Sequence, residues 1–253
     1  MGSQTPGQHS RRAGGYPVLL SRALGLDLDY RACRGATVED VLSTQVEAVG
    51  EETRLVTLTV GAYDVGLTDL ALACVLPWRS AGAVTQIEAA GREIPLHFPA
   101  RLGTLLVEIR ERSPKADVVV TGYPHPTAPR RRSESAVSAH RALARLTDDL
   151  DDLLLEVARG QGALAVDVRA LFDEGVGDLH AVTTPLENSF LPRASGHAAY
   201  AEAVARAVEG AGHPPAARSA LRRGMAVPAV QSGPDRVGSG RLVSLGALFR
   251  RRT

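Results

Sequence analysis

Residues 55–66 read LVTLTVGAYDVG, which brings Tyr63 and Asp64 to the tip of an apolar run just where a glycine lets the chain turn. A phenol and a carboxylate at such a tip could donate to, or accept from, a reacting group. Two histidines sit in comparable places, His125 in GYPHPTAP and His180 in DLHAVTTP. Each could act as acid or base, and each could equally be an ordinary histidine bracing its loop. A third, His197, falls on the inner turn of ASGHAAYAEAV, where packing or capping is expected. The seven histidines show no paired ligand spacing, and no glycine-rich phosphate loop joins a strand to a helix, so neither a metal nor a cofactor is expected.

The elements that would position these groups follow from periodicity. PVLLSRAL over 17–24 reads as a helix stopped by Gly25, and LDLDYRAC over 26–33 alternates as a strand. Thr37 is a plausible N-cap for the helix in GATVEDVLSTQVEAV, with acids in its first turn. RLVTLTVG (54–61), ADVVVTGYP (116–124) and ALAVDV (163–168) read as buried strands. Helices are expected from Asp64, across 83–112 with kinks at Pro95 and Pro99, across 133–159 and across 194–210. The acidic stretch DDLDDLLLE in the third of these reads as a solvated face. Strands alternating with long helices imply a parallel sheet with helices on both faces, and ligands bind at the carboxyl ends of such strands. The loops after Cys33, Val60, Gly122 and Val168 are therefore where a site belongs.

Composition sets the outer limits. The chain has 253 residues, 44% apolar and 23% charged, the balance of a globular α/β protein. A formal net charge of +1 and 4% aromatic residues give no general pull toward nucleic acid. No window is apolar enough for a membrane span, and the polar N-terminus MGSQTPGQHSRRAGGYP lacks the core of a signal peptide. With two cysteines, Cys33 and Cys74, read as reduced thiols, a cytoplasmic location is expected, or a secreted one if the gene extends upstream. The chain divides into a polar segment at 1–16, one domain at 17–212, and a Pro-, Gly- and Arg-rich tail at 213–253 expected to be flexible.

The strand-end blocks resemble the SGNH (GDSL) hydrolases, in particular their small actinobacterial esterases and lipases. YPVLLSRALGLDLDYRACRGATVEDVL is similar to that family's first helix, second strand and oxyanion-glycine block. LVTLTVGAYDVGL resembles its third strand, which ends in Gly-Gly-Asn-Asp, and ADVVVTGYP its next. LHAVTTPLENSFLPRASGHAAYAEAV resembles its last block. The resemblance implies a flavodoxin-like three-layer α/β/α sandwich, with the first strand inside the sheet and a serine nucleophile just after it. It also implies a histidine base, and oxyanion donors from the serine amide, a glycine amide and an asparagine side chain.

On that resemblance Gly35 takes the oxyanion-glycine position and Asp64 the acid that braces the loop or caps the next helix. Tyr63 stands where the asparagine should be, and Leu191 where the catalytic histidine precedes a proline. Asn188, His125 and His180 complete the expected pocket. The Gly-Asp-Ser block should precede GQHSRRAGGYP, but the sequence begins almost at once with Met1, so the first strand is expected to be missing. His9 falls where secreted members keep a disulfide cysteine, leaving Cys33 without its expected partner. These departures lead to a non-hydrolytic member holding a small apolar or acyl-bearing ligand. Two alternatives stay open: an esterase whose upstream block is absent from this chain, and an interaction module using PRRRS (129–133) and FRRRT (249–253). A missing interior strand would also expose ladder groups, so self-association through the gap, or a strand borrowed from the N-terminus or a partner, is expected.

Overall fold

The four apolar runs form strands: β1 Asp27–Tyr30, β2 Thr53–Thr59, β3 Asp117–Thr121 and β4 Leu164–Val166. A computed structural model describes residues 15–76, 82–126, 134–175, 179, 191–211 and 240–246. The helices are α1 Tyr16–Leu24, α2 Val38–Asp40, α3 Leu67–Val75, α4 Ala83–Arg112, α5 Glu134–Gly160, α6 Arg169–Asp173 and α7 Ala194–Gly210. Thr37 starts α2 as its residue type demands. Its hydroxyl accepts the Asp40 amide while the Asp40 carboxylate accepts the Thr37 amide, a reciprocal cap. The chain then widens into a π turn over Val41–Gln45 and tightens again over Val46–Ala48. Helix α4 runs on through Pro95 and Pro99, whose missing amides give up the bonds to the Gly91 and Pro95 carbonyls.

The tail contributes a fifth strand, β5 Arg241–Gly246, and the sheet order is β1-β5-β2-β3-β4, parallel throughout. This corrects the reading of 213–253 as flexible where 241–246 is concerned. It also corrects the expected gap. The strand that fills the interior comes from the far end of the same chain, not from the N-terminus or a partner, so no open gap invites self-association between β1 and β2. The physical reason lies in LVSLG. Its Leu242, Val243, Ser244 and Leu245 are completely buried, and its backbone groups pair on both sides. The short apolar run was too brief to outweigh its Pro-, Gly- and Arg-rich surroundings in a reading by composition.

Period-two alternation sends the strand side chains to two helical layers. Leu55, Val119, Val166 and Leu242 pack with Tyr16 and Leu20 of α1 and Val204 of α7. Val56, Leu58, Val118, Val120, Val243 and Leu245 pack against α3, α4 and α5 through Leu70, Phe98, Leu105 and Leu146. The result is a three-layer α/β/α sandwich, and every strand delivers its carboxyl end to the same edge. Among the described residues no helix is long and apolar enough to cross a membrane.

Because β5 packs on both faces, Leu242→Ala and Leu245→Ala should each lower stability by about 2–5 kcal/mol in urea unfolding of the full chain. A loose tail would instead give changes within about 0.5 kcal/mol.

Candidate functional site

Two of the four expected loops meet directly. The Gly35 turn, at φ 85°, follows β1, and the loop after β2 passes beside it. The Arg34 guanidinium donates from Nε to Tyr63 Oη at 3.3 Å. The Tyr63 ring is half-buried against the core, so it fills space and ties the two loops together. Asp64 accepts the Val38 amide at 3.1 and 3.2 Å, which caps α2. The acid thus braces the loop as expected, although the helix it caps precedes it in sequence. Burial raises the Asp64 carboxyl above its ordinary range, against the opposing pull of the Val38 amide.

Gly61 sets the path of this loop. Its φ is 117°, and a Cβ there would come within 2.8 Å of Phe98 Cζ and 3.2 Å of Leu150 Cδ1. The next amide, that of Ala62, donates to the buried Tyr123 Oη at 3.3 Å, joining the β2 loop to the β3 loop. Beneath them lies a line of buried hydroxyls. Tyr16 Oη is 3.1 Å from Thr59 Oγ1, which is 2.6 Å from Thr121 Oγ1, and Tyr200 Oη donates to the Gly122 carbonyl at 2.9 Å. The rings of Tyr16 and Tyr200 stack at 5.3 Å, so α1 and α7 are fastened together to the carboxyl ends of β2 and β3.

A second group of charges forms beside the ends of β3 and β4. Asp151 of α5 is fully buried and accepts the Tyr123 amide with both oxygens at 2.9 Å. Burial pushes its carboxyl well up, opposed by that amide and by Arg169. The reading of DDLDDLLLE as a solvated face therefore fails at Asp151, which the sequence analysis missed. Its spacing carried the signal: Leu143, Leu146, Thr147, Leu150, Asp151, Leu154 and Leu155 share one buried stripe of α5. Gly122 answers it across the contact, since a Cβ there would lie 2.5 Å from Asp151 Oδ2. Arg169 gathers three further acids, with Asp167 at 2.6 Å, Asp152 at 2.8 Å and Asp148 at 2.9 Å.

His125 belongs to this charged group and not to the Tyr63 loop. Its Nε2 is 2.9 Å from Asp148 Oδ1 and its Nδ1 is 3.1 Å from Asp173 Oδ2. A carboxylate at each ring nitrogen favours the imidazolium form, in which both nitrogens donate. Partial burial lowers its pKa, but the bonds to Asp148 and Asp173 outweigh that and place it above the ordinary histidine value. Leu191 is buried beside the Leu179–Pro192 bridge. The His197 amide closes the first turn of α7 on the Arg193 carbonyl. His180, Asn188 and the basic segments 129–133 and 249–253 lie outside the described residues. Cys33 and Cys74 are free thiols, and burial pushes that of Cys74 up to about 11. Among the described residues no group of three or more His, Cys, Asp or Glu is placed to hold a metal ion.

Residues 2–199 match the model of the GDSL-like lipase/acylhydrolase family. A lipase of Streptomyces rimosus is 33% identical over 201 residues, covering 75% of this chain and 74% of its own. Lipase 1 of Streptomyces coelicolor is 30% identical over the same shares. The crystal structure of the extracellular lipase from Streptomyces rimosus superposes with a TM-score of 0.70 at 31% identity, covering 78% of this chain and 88% of that one. That of phospholipase A1 from Streptomyces albidoflavus NA297 gives 0.69 at 28%, covering 77% and 86%.

Two outcomes follow from the charged group. The folded pKa of His125 lies above the unfolded one, so its contribution to stability is complete below about pH 6.5 and disappears as pH rises through the raised value. His125→Gln should flatten that part of the stability–pH profile measured by denaturant unfolding, with Asp148, Asp173, Asp167, Arg169 and His140 unchanged. Gly122→Ala should destabilise by about 1–3 kcal/mol, because the new methyl overlaps the buried Asp151 carboxylate.

Proposed function

The chain belongs to the GDSL-like lipase/acylhydrolase family, and from that premise we propose that it holds a small apolar or acyl-bearing molecule at the strand ends without hydrolysing it. Tyr63 carries this reading. In the place where the family's oxyanion asparagine is expected stands a bulky ring whose oxygen already accepts from Arg34. A phenol can serve an oxyanion, but its oxygen lies several bonds farther from the backbone than an amide nitrogen would. The preorganised geometry that stabilises an acyl-transfer oxyanion is lost with that change, at a cost of about 100- to 1,000-fold in rate for one donor.

The expected base position supports the same reading, since the buried Leu191 side chain accepts no proton. His125 offers no substitute, because its two nitrogens are engaged by Asp148 and Asp173. The ligand class rests on the relatives, which are named as lipases and a phospholipase and so act on acyl esters. An active esterase completed by an upstream strand and serine is disfavoured. Such a strand needs the place between β1 and β2, and β5 holds it.

The full chain should hydrolyse p-nitrophenyl butyrate no faster than buffer. Tyr63→Asn or Leu191→His alone should leave it inert, because the groups of such a site act as a unit. Steady hydrolysis abolished by Leu191→Ala or Tyr63→Phe would overturn the non-hydrolytic reading.

A further inference from the structure

We infer that β5 stands in for the family's nucleophile-bearing first strand, so that the fold is circularly permuted and Gly246 is the glycine of the nucleophile turn. The inference deepens the reading above and rests on the same family assignment. It comes from three separate observations: the place of the strand, the conformation of its last residue and the sequence that follows.

The place is interior. β5 pairs in parallel with β1 from Asp27↔Arg241 to Tyr30↔Ser244, and with β2 from Thr53↔Arg241 to Thr59↔Gly246. A strand added to an existing sheet by accident would settle on an edge, where one ladder is open. Here both neighbours are the strands whose loops carry Gly35 and Tyr63. A nucleophile that shares its oxyanion with those two positions must emerge from the strand between them, and that strand is β5.

The conformation is that of an obligatory glycine. Gly246 has φ 97°, and a Cβ on it would be driven into the Thr59 carbonyl. Its backbone is held on every side. The amide donates to the buried Gln45 Oε1 at 2.8 Å, and the carbonyl accepts the Cys33 amide at 3.0 Å and Gln45 Nε2 at 3.4 Å. Gln45 thus spends both ends of its side chain on this residue, which a casual strand end would not require.

The sequence supplies the consequence. An apolar strand ending in glycine is followed by Ala247 and Leu248, where the family has Asp and Ser after that glycine. The nucleophile has been replaced within a retained strand, in keeping with Tyr63 and Leu191. The first strand's place is therefore filled by a segment encoded after the last helix of the domain.

Two measurements on the full chain test this. Position 248 lies two residues, or at most about 7 Å of backbone, beyond Gly246, whose carbonyl is bonded to the Cys33 amide. In a Leu248→Cys variant a short bismaleimide should join position 248 to Cys33, mapped by peptide mass spectrometry. Absence of that link in a folded variant overturns the placement. In the second, Ala247→Asp, Leu248→Ser, Tyr63→Asn and Leu191→His are combined. Diisopropyl fluorophosphate should then form an adduct at position 248, the introduced serine oxygen displacing fluoride and its proton passing to the introduced imidazole. Ester hydrolysis should rise at least about 100-fold above the same chain without Leu248→Ser. Cross-linking without an adduct overturns Gly246 as the nucleophile-turn glycine and leaves the non-hydrolytic reading standing. Hydrolysis by the unsubstituted chain overturns that reading and not the strand's placement. If the fourfold variant does not fold, the cross-link alone decides the placement.

Discussion

The double ladder of β5 holds the rest of the structure in place. An interior strand of a parallel sheet satisfies backbone groups on both sides, and without it β1 and β2 would each face a buried, unpaired edge. β1 has no other strand partner among the described residues, since its only ladder is with β5. The loop that carries Gly35 is thus located by a segment more than 200 residues away in sequence, through the Cys33–Gly246 and Gln45–Gly246 bonds. This is also a topology of slow closure. A central pairing so distant in sequence cannot form until most of the chain is in place.

Above that ladder the carboxyl edge splits into two regions of different character. One runs from Gly35 through Arg34 to Tyr63 and Asp64, and is largely built of backbone turns, a ring and a cap. The other, around Arg169, Asp148, Asp173 and His125, is a network of opposite charges that fastens α5 and α6 to the ends of β3 and β4. Tyr123 joins them, its hydroxyl oxygen accepting the Ala62 amide while its own amide donates to Asp151. The family's polar chemistry is expected in the first region, yet the polar density lies in the second.

Much of this was legible in the sequence because local physics and the global fold agree there. The 3.6-residue period marked α1, α4, α5 and α7 to within a residue or so, and Thr37 marked its own helix start through its hydroxyl. The strand-end loops followed from the parallel architecture alone. Two features escaped. β5 was hidden because six residues of apolar pattern sit in a stretch whose composition signals disorder, and only long-range pairing makes them a strand. Asp151 was hidden beside three neighbouring aspartates, where charge suggested water while helical spacing pointed to the core. For His125, the loop position could be read from sequence, but its two carboxylate partners come from α5 and α6, 23 and 48 residues away.

Native-state hydrogen exchange on the full chain, resolved by residue, bears most directly on the completed sheet. If β5 is the interior strand on which the site depends, the amides of Leu242 to Leu245 will exchange as slowly as those of Val56 to Leu58, at rates set by global unfolding. Exchange of Leu242 to Leu245 at the speed of an unstructured segment, while β2 and β3 stay protected, would contradict it.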